Sequence, residues 1–486
     1  MVRIASVLNV LGKIIAIFAV TMLFPMSLSR LLNEGAASAY DGAILATLAS
    51  GGGLWLATRR RAHRELKPRD GFLLVTLVWT VLPIFAMLPL LLHLPELSIT
   101  DAYFEAMSGL TASGATVLSN LDQLPASLNL WRGLIVWLGG MGVIVLAVAI
   151  LPMLGVGGAQ LFKAEMPGPL KDSKLTPRIT ETAKWLWGIY FGLSAACFIC
   201  MRLAGLEWVD AAMHTFTTMG LGGFSNRDAS VGHFDSIAVE IVTVIFMLIA
   251  VLNFAVHFRA LRGRSLMPYF RDPETRACLA IIAASCVLVT VHLFLTGTYD
   301  SLATAFRYAT FNVVSVATTT GYATTDYSLW PVFAPIWMLF LCTFVSSSGS
   351  TGGGFKMIRA LVLWQQTFRE LRRLVHPRAV IHVKIGQAVI ENNVIFAVLA
   401  FAMLFGSTIV VVTLLLAISG ADIITAFSAA LACVTNMGPG LGAVGPASTY
   451  AVLNDFQTWV CTFAMLLGRL ELFTMFVVMT PSFWRQ

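Results

Sequence analysis

Charge is scarce in this sequence. Asp, Glu, Lys and Arg make up 12% of its 486 residues, about half of what a soluble domain of this size carries. Cysteine is sparse and unpatterned. Cys197 and Cys200 form a CxxC, but no second pair at zinc spacing accompanies it. Cys278, Cys286, Cys342, Cys433 and Cys461 are scattered, mostly inside apolar runs. This excludes a disulfide framework and reads as small buried apolar residues. There is no HExxH, and no GxGxxG after a strand, so any nucleotide site belongs on a partner. A cleavable signal peptide is also missing, because the first apolar run, 7–31, is too long for one and reads as a first span.

What is present is apolar length. The chain is 57% hydrophobic, with a mean hydropathy of +0.80. Crossing a hydrocarbon core of about 30 Å takes roughly 20 helical residues, and runs of that length recur. Lipid admits only structures that satisfy their own backbone, and long non-alternating runs select helices over a barrel. The expected fold is an all-α polytopic membrane protein. Its spans fall near 7–31, 40–58, 71–94, 130–154, 181–203, 236–258, 277–295, 331–364, 391–418 and 456–479.

The formal charge of +7 would suggest nucleic acid in a soluble protein. Here the bases sit in short loops near 59–69, 155–180, 259–276 and 366–384, so they report topology instead. The opposite loops carry acids, among them Glu34, Glu96, Asp122, Glu207, Asp235, Asp300, Asp326 and Asp455. Both termini are therefore expected in the cytoplasm, with the acidic side outward.

Four segments on the acidic side are too apolar for loops and too short for spans: 101–114, 210–223, 301–321 and 422–438. Each ends in a Gly/Thr-rich stretch and reads as a re-entrant half-helix followed by extended backbone, which membranes tolerate only where it lines a cavity. The unit of span, half-helix, glycine segment and span occurs four times, which predicts four pseudo-repeats around a central pore. The expected organisation is two leading transmembrane helices in 1–70 and pore repeats in 71–160, 161–270, 271–385 and 386–486.

Aligned on glycine, the segments are Thr111-Ala112-Ser113-Gly114, Gly220-Leu221-Gly222-Gly223, Thr318-Thr319-Thr320-Gly321 and Thr435-Asn436-Met437-Gly438. None is charged. Rings of backbone carbonyls suit a large, weakly hydrated cation such as potassium; an anion pore would want Arg or Lys, and a calcium site carboxylates. Glycine at the fourth position permits unusual φ and close backbone approach. Glu105, His214 and Asn312 stand at equivalent half-helix positions, either buttressing the segments or as satisfied polar groups.

These segments, with Phe104 to Thr111, Gly222 to Ser225, Thr318 to Tyr322, Asn436 to Gly440, Gly349 to Lys356 and Gly468 to Glu471, resemble the Trk/Ktr/HKT potassium transporter superfamily, in its bacterial Trk branch. The likeness spans essentially the whole chain. It departs at Ala112 and Ser113, where a Thr run is common, and at Gly220 and Leu221. In plant relatives, serine at the first filter glycine favours sodium; Gly114 here implies potassium. The resemblance further implies rubidium transport, residence in the bacterial inner membrane, a homodimer surrounded by lipid, and a cytosolic regulatory subunit that binds NAD(H), ATP or ADP. It also implies a gating loop, Gly349-Ser350-Thr351-Gly352-Gly353-Gly354, below the filter, with Arg469 in the pore as part of the closed barrier. The bland readings are a glycine-kinked helix and a structural partner for Arg469. Lys356 reads equally as inside the bundle or snorkelling to the surface.

Two rival functions are weighed. An intramembrane serine protease would use Ser113 with His257 or His292, but lacks the glycine two residues before the serine. A proton- or sodium-coupled symporter would want carboxylates inside spans, where Glu471 is the main candidate.

Overall fold

The computed structural model describes residues 4–60, 67–149 and 175–485. Most of the basic loops at 59–69 and 155–180, with Lys163, Lys171 and Lys174, lie outside the described residues.

Helices dominate, as expected. The first leading span covers Ile4–Leu32, and the second helix, Ala37–Thr58, packs against it through glycines. A Cβ on Gly12 would lie 2.8 Å from the Gly51 carbonyl oxygen, the close backbone approach that small residues allow between membrane helices. The first helices of the four repeats are Pro68–Ala86 continued by Leu88–His93, then Leu175–Leu203, Pro273–Leu295 and Asn392–Ile418. A short antiparallel hairpin, Lys384–Ile385 with Ala388–Val389, precedes the fourth.

The four half-helices are Ile99–Leu110, Trp208–Gly220, Leu302–Ala317 and Ile423–Thr435. Three start at a side-chain cap that satisfies orphan N–H groups: Ser98 accepts from the Asp101 N–H, Ser301 from Ala303, and Asp422 from Ile424 and Thr425. All four begin at exposed residues and are buried toward their C-terminal ends. One apolar core draws mainly on the leading helices and repeats 1 and 4, and a second draws mainly on repeats 2 and 3.

The second helices of repeats 2 and 4 depart from the sequence expectation of single straight spans. Ile237–Val251 breaks at Leu252 and Asn253, and Phe254–Gly263 leaves at 97°. Asp455–Arg469 breaks at Leu470 to Leu472, and Phe473–Met479 leaves at 110°. Between Phe333–Phe344 and Met357–Val375 the chain runs as an irregular loop. Neither sharp bend carries Pro. Asn253 restarts its helix as an N-cap, accepting from the Ala255 N–H at 2.8 Å, and Glu471 and Leu472 both take positive φ. In repeat 1 the helix Ala126–Ala149 is unbroken.

Candidate functional site: a four-part carbonyl ring above an intramembrane loop

Each half-helix runs directly into its glycine segment, and the four segments share one backbone pattern. The second residue of each is left-handed although none is glycine: Ala112 at φ 51°, Leu221 at 53°, Thr319 at 59° and Asn436 at 54°. The fourth residue, glycine in every case, also has positive φ: 83°, 22°, 89° and 99° for Gly114, Gly223, Gly321 and Gly438. Such alternation turns successive carbonyls in a way an ordinary strand does not.

The glycines also report how the segments meet. A Cβ on Gly114 would lie 3.1 Å from the carbonyl oxygen of Gly222, and one on Gly438 would lie 2.6 Å from that of Ser113. At Gly223 it would fall on the Thr320 carbonyl, and at Gly321 on the Met437 carbonyl. Every contact thus runs from the fourth position of one repeat to the third of the next: 1 to 2, 2 to 3, 3 to 4, and 4 back to 1. The ring is closed. The carbonyls of Ser113, Thr320 and Met437 accept no hydrogen bond among the described residues. Such unpaired buried acceptors normally find a partner. The flanking hydroxyls are already used. Thr111, Thr318 and Thr435 donate back to Met107, Val314 and Leu431 at 2.7–2.8 Å.

On the acidic side the ring opens into a cavity of about 290 Å³, whose lining includes Gly114, Gly223, Gly321 and Pro439 from the four repeats. Half-helix side chains tie down the backbone leaving the ring. Glu105 accepts from the Val117 N–H at 3.0 Å, His214 Nε2 lies 3.1 Å from Ser225 Oγ, and Asn312 Nδ2 donates to Thr324 Oγ1 at 2.9 Å. Repeat 4 has Ala429 at the equivalent position and uses Ser428 instead, which accepts from the Leu441 N–H at 2.8 Å.

The loop 345–356 lies against the other end of the ring. Thr351 Oγ1 donates to the Met219 carbonyl at 3.0 Å, and the Gly353 N–H donates to Thr319 Oγ1 at 2.9 Å. A Cβ on Gly353 would fall on the Thr435 carbonyl, and one on Gly352 would lie 3.3 Å from that of Thr318. Gly349 accepts from the Phe254 N–H at 3.1 Å, next to the break in repeat 2. Gly354 takes φ 81°, and Ser350 bonds back to the Ser347 carbonyl at 2.6 Å. One carboxylate, Glu274, clamps both ends of the loop, accepting from the Ser348 N–H at 2.7 Å and the Ile358 N–H at 3.2 Å.

Lys356 is 5% exposed, so its position is inside the bundle, where its Nζ donates to the Gly352 carbonyl. Arg469 is 4% exposed, donates to the Thr351 carbonyl at 3.0 Å, and sits 5.7 Å from the Trp79 ring. Glu471, two residues on, faces elsewhere and pairs with Arg359 at 2.7 Å. Neither Arg132, a lone base within an apolar run, nor Glu274, the second residue of its helix after a proline, is singled out by sequence reasoning. An isolated charge in an expected span is the signal that marks Arg132.

Ser113 Oγ bonds Thr111 Oγ1 and Asn436 Nδ2, both at 2.8 Å, while His257 bonds Tyr269 and the Ile249 carbonyl. No serine–histidine pair forms there. Among the described residues no group of three His, Cys, Asp or Glu side chains is placed to hold a metal.

The family model described as "TrkH: Cation transport protein" matches residues 39–485. The chain belongs to the TrkH family. It is 46% identical over 483 residues to the Trk system potassium uptake protein TrkH of Vibrio parahaemolyticus, covering 99% of each. It is 43% identical to the protein of that name from Escherichia coli K12, again over 99% of each, and 36% identical to TrkG of the same strain, over 99% of this chain and 98% of TrkG. The crystal structure titled as the potassium transporter TrkH from Vibrio parahaemolyticus superposes with a TM-score of 0.91 at 43% identity, covering 99% of this chain and all of that one. TrkH-family membership makes this a multi-pass membrane protein of a cation transport family rather than an enzyme, which removes the protease reading.

Proposed function

We propose that this chain carries potassium, with rubidium as a substitute, into the cell across the bacterial inner membrane, with both termini cytoplasmic. The closed ring of third-position carbonyls is the observation that carries the reading. It offers backbone oxygens from four repeats at one level, with no charged side chain among the sixteen ring residues. A dehydrated monovalent cation is what such a ring replaces water for. The relatives' names support potassium as that cation. Half-helices end at the ring, so their negative ends favour a cation there. Entry is passive and driven by the membrane potential, at about 2.3 kcal/mol per charge per 100 mV. A coupled symporter needs a free carboxylate in the path, and its main candidate, Glu471, is paired to Arg359.

The loop 345–356, with Lys356 and Arg469, is the gate, here closed. A cytosolic subunit binding NAD(H), ATP or ADP controls it, and two copies of this chain assemble side by side in the bilayer. The match to Trk system proteins supports that arrangement.

The test is flux of potassium, rubidium and sodium into proteoliposomes at a set voltage, with and without Gly114→Ser. Gly114 has φ 83° and no room for a Cβ beside the Gly222 carbonyl. Serine is expected to weaken the preference for potassium and rubidium over sodium. Absence of electrogenic flux, or a requirement for a proton gradient, would overturn the passive pore.

A second expectation concerns the loop. Glu274→Ala strands two buried N–H groups, each worth about 1–3 kcal/mol. It is expected to raise potassium flux severalfold and to lower the melting temperature, read by flux and thermal unfolding of one preparation. Unchanged flux in a destabilised protein would confine Glu274 to the fold.

A further inference from the structure

We infer that Arg132 is a specificity-determining positioning residue, which sets the spacing of the ring segments of repeats 1 and 2. The inference rests on the carbonyl-ring reading above. Arg132 is fully buried in the helix Ala126–Ala149, at the edge of the cavity over the ring. A guanidinium has five N–H donors in a fixed fork, and here four hydrogen bonds and one ion-pair contact engage all three nitrogens. Nε donates to Glu105 Oε1 at 2.9 Å. One terminal nitrogen pairs with the same carboxylate oxygen at 2.8 Å and reaches Thr116 Oγ1 at 3.2 Å. The other donates to Asn129 Oδ1 at 3.1 Å and to the Ser225 carbonyl at 3.0 Å. Its carbon lies 4.5 Å from the centre of the Phe224 ring.

The register of these contacts is the point. Thr116 is two residues beyond Gly114, and Ser225 is two residues beyond Gly223. One rigid cation therefore grips the same position in adjacent repeats, two residues beyond the glycines Gly114 and Gly223, whose segments meet at the Gly222 carbonyl. The corresponding ties through Asn312 and Ser428 are neutral and stay within a single repeat. Selectivity between potassium and sodium depends on how far a carbonyl ring can close around the smaller ion or on the field its carbonyls exert. Either way, a strut across one of its four joints fixes a quarter of that geometry. Glu105 neutralises the strut, so it does not repel the passing cation.

Two single variants separate these roles. Lysine keeps the charge but is a point donor without the fork. Arg132→Lys keeps the pairing with Glu105 and gives up the grip on Ser225. It is expected to reduce the potassium-to-sodium flux ratio about tenfold, chiefly through a rise in sodium flux, since at least one charge-assisted hydrogen bond is lost. Glu105→Gln keeps an acceptor oxygen and leaves the Arg132 charge uncompensated beside the ion path. It is expected to reduce flux of all three cations about tenfold while the ratio holds. Both are read in proteoliposomes with potassium, rubidium and sodium, alongside thermal unfolding of the same preparations. A ratio unchanged within twofold in Arg132→Lys, with only a lower melting temperature, would make Arg132 a fold support and overturn the inference. Should Arg132→Lys not fold, Glu105→Gln decides: an unchanged flux, or a ratio that falls with it, overturns the inference. A parent chain that shows no preference among the three cations overturns the carbonyl-ring reading itself, which is distinguishable because no variant is needed to see it.

Discussion

Arg469→Ala is expected to raise potassium flux through the purified chain, with no partner subunit present, by at least tenfold. The guanidinium lies under the loop, bonded to the Thr351 carbonyl, and among the described residues no carboxylate pairs with it. A uniform cation barrier of this kind acts on any monovalent ion that reaches it. Two unit charges 4 Å apart at an effective dielectric constant of about 20 repel by about 4 kcal/mol, which sets an upper limit near a thousandfold. The loop itself stays in place in the variant, so the gain falls between those bounds. Removing the cation should also leave the ratio of potassium to sodium flux alone, since the ring lies above it. Flux by a light-scattering or fluorescent-dye assay across a set potential checks both statements. An unchanged flux would mean that the loop alone closes the path.

Gly321→Ala is expected to do the reverse and abolish useful uptake. Its φ is 89°, where a non-glycine residue costs about 1–2 kcal/mol, and its Cβ would fall on the Met437 carbonyl with Pro439 Cδ 2.9 Å away. Overpacking a tight site costs a further 1–3 kcal/mol. The two together correspond to a loss of roughly thirtyfold to a few thousandfold in selective transport. The measurement is growth at low potassium of cells stripped of their own uptake systems, with membrane content of the protein checked by immunoblot. Normal growth at normal protein level would show that the third-position carbonyls of repeat 4 do not need to approach repeat 3 so closely. Arg469 and Gly321 therefore make a pair with opposite signs.

Much of this arrangement is legible before any coordinates. The four glycines announce the register, because a left-handed backbone at the fourth position leaves glycine as the natural residue. The left-handed second position does not announce itself: Ala112, Leu221, Thr319 and Asn436 share a conformation without sharing a side chain. The surrounding packing imposes it, and packing is invisible in a single sequence. The sharp breaks after Val251 and Arg469 are hidden for a similar reason. Asn253 and Glu471 stand where Pro or Gly would have signalled a bend, so a continuous apolar run reads as a continuous helix. Arg132 carries the same signal, a base within an expected span, but its role does not show, because its four acceptors come from positions 105, 116, 129 and 225, a convergence that only the fold creates. Arg469 is conspicuous from the start, since a base within a span is expensive and demands a reason, and the family resemblance supplies one.

The ring closes within one covalent chain, and that fact sets the stoichiometry of change. In a pore made from four identical subunits, every substitution arrives four times, so a tolerable shift in one segment becomes intolerable at once. Here a single codon alters one quarter of the carbonyl ring. Ala112, Leu221, Thr319 and Asn436 already differ at equivalent positions, a diversity that a symmetric assembly has no means to encode. On the proposed reading of the ring as the cation site, ion preference can be adjusted in increments, one repeat at a time, while the other three segments keep their geometry.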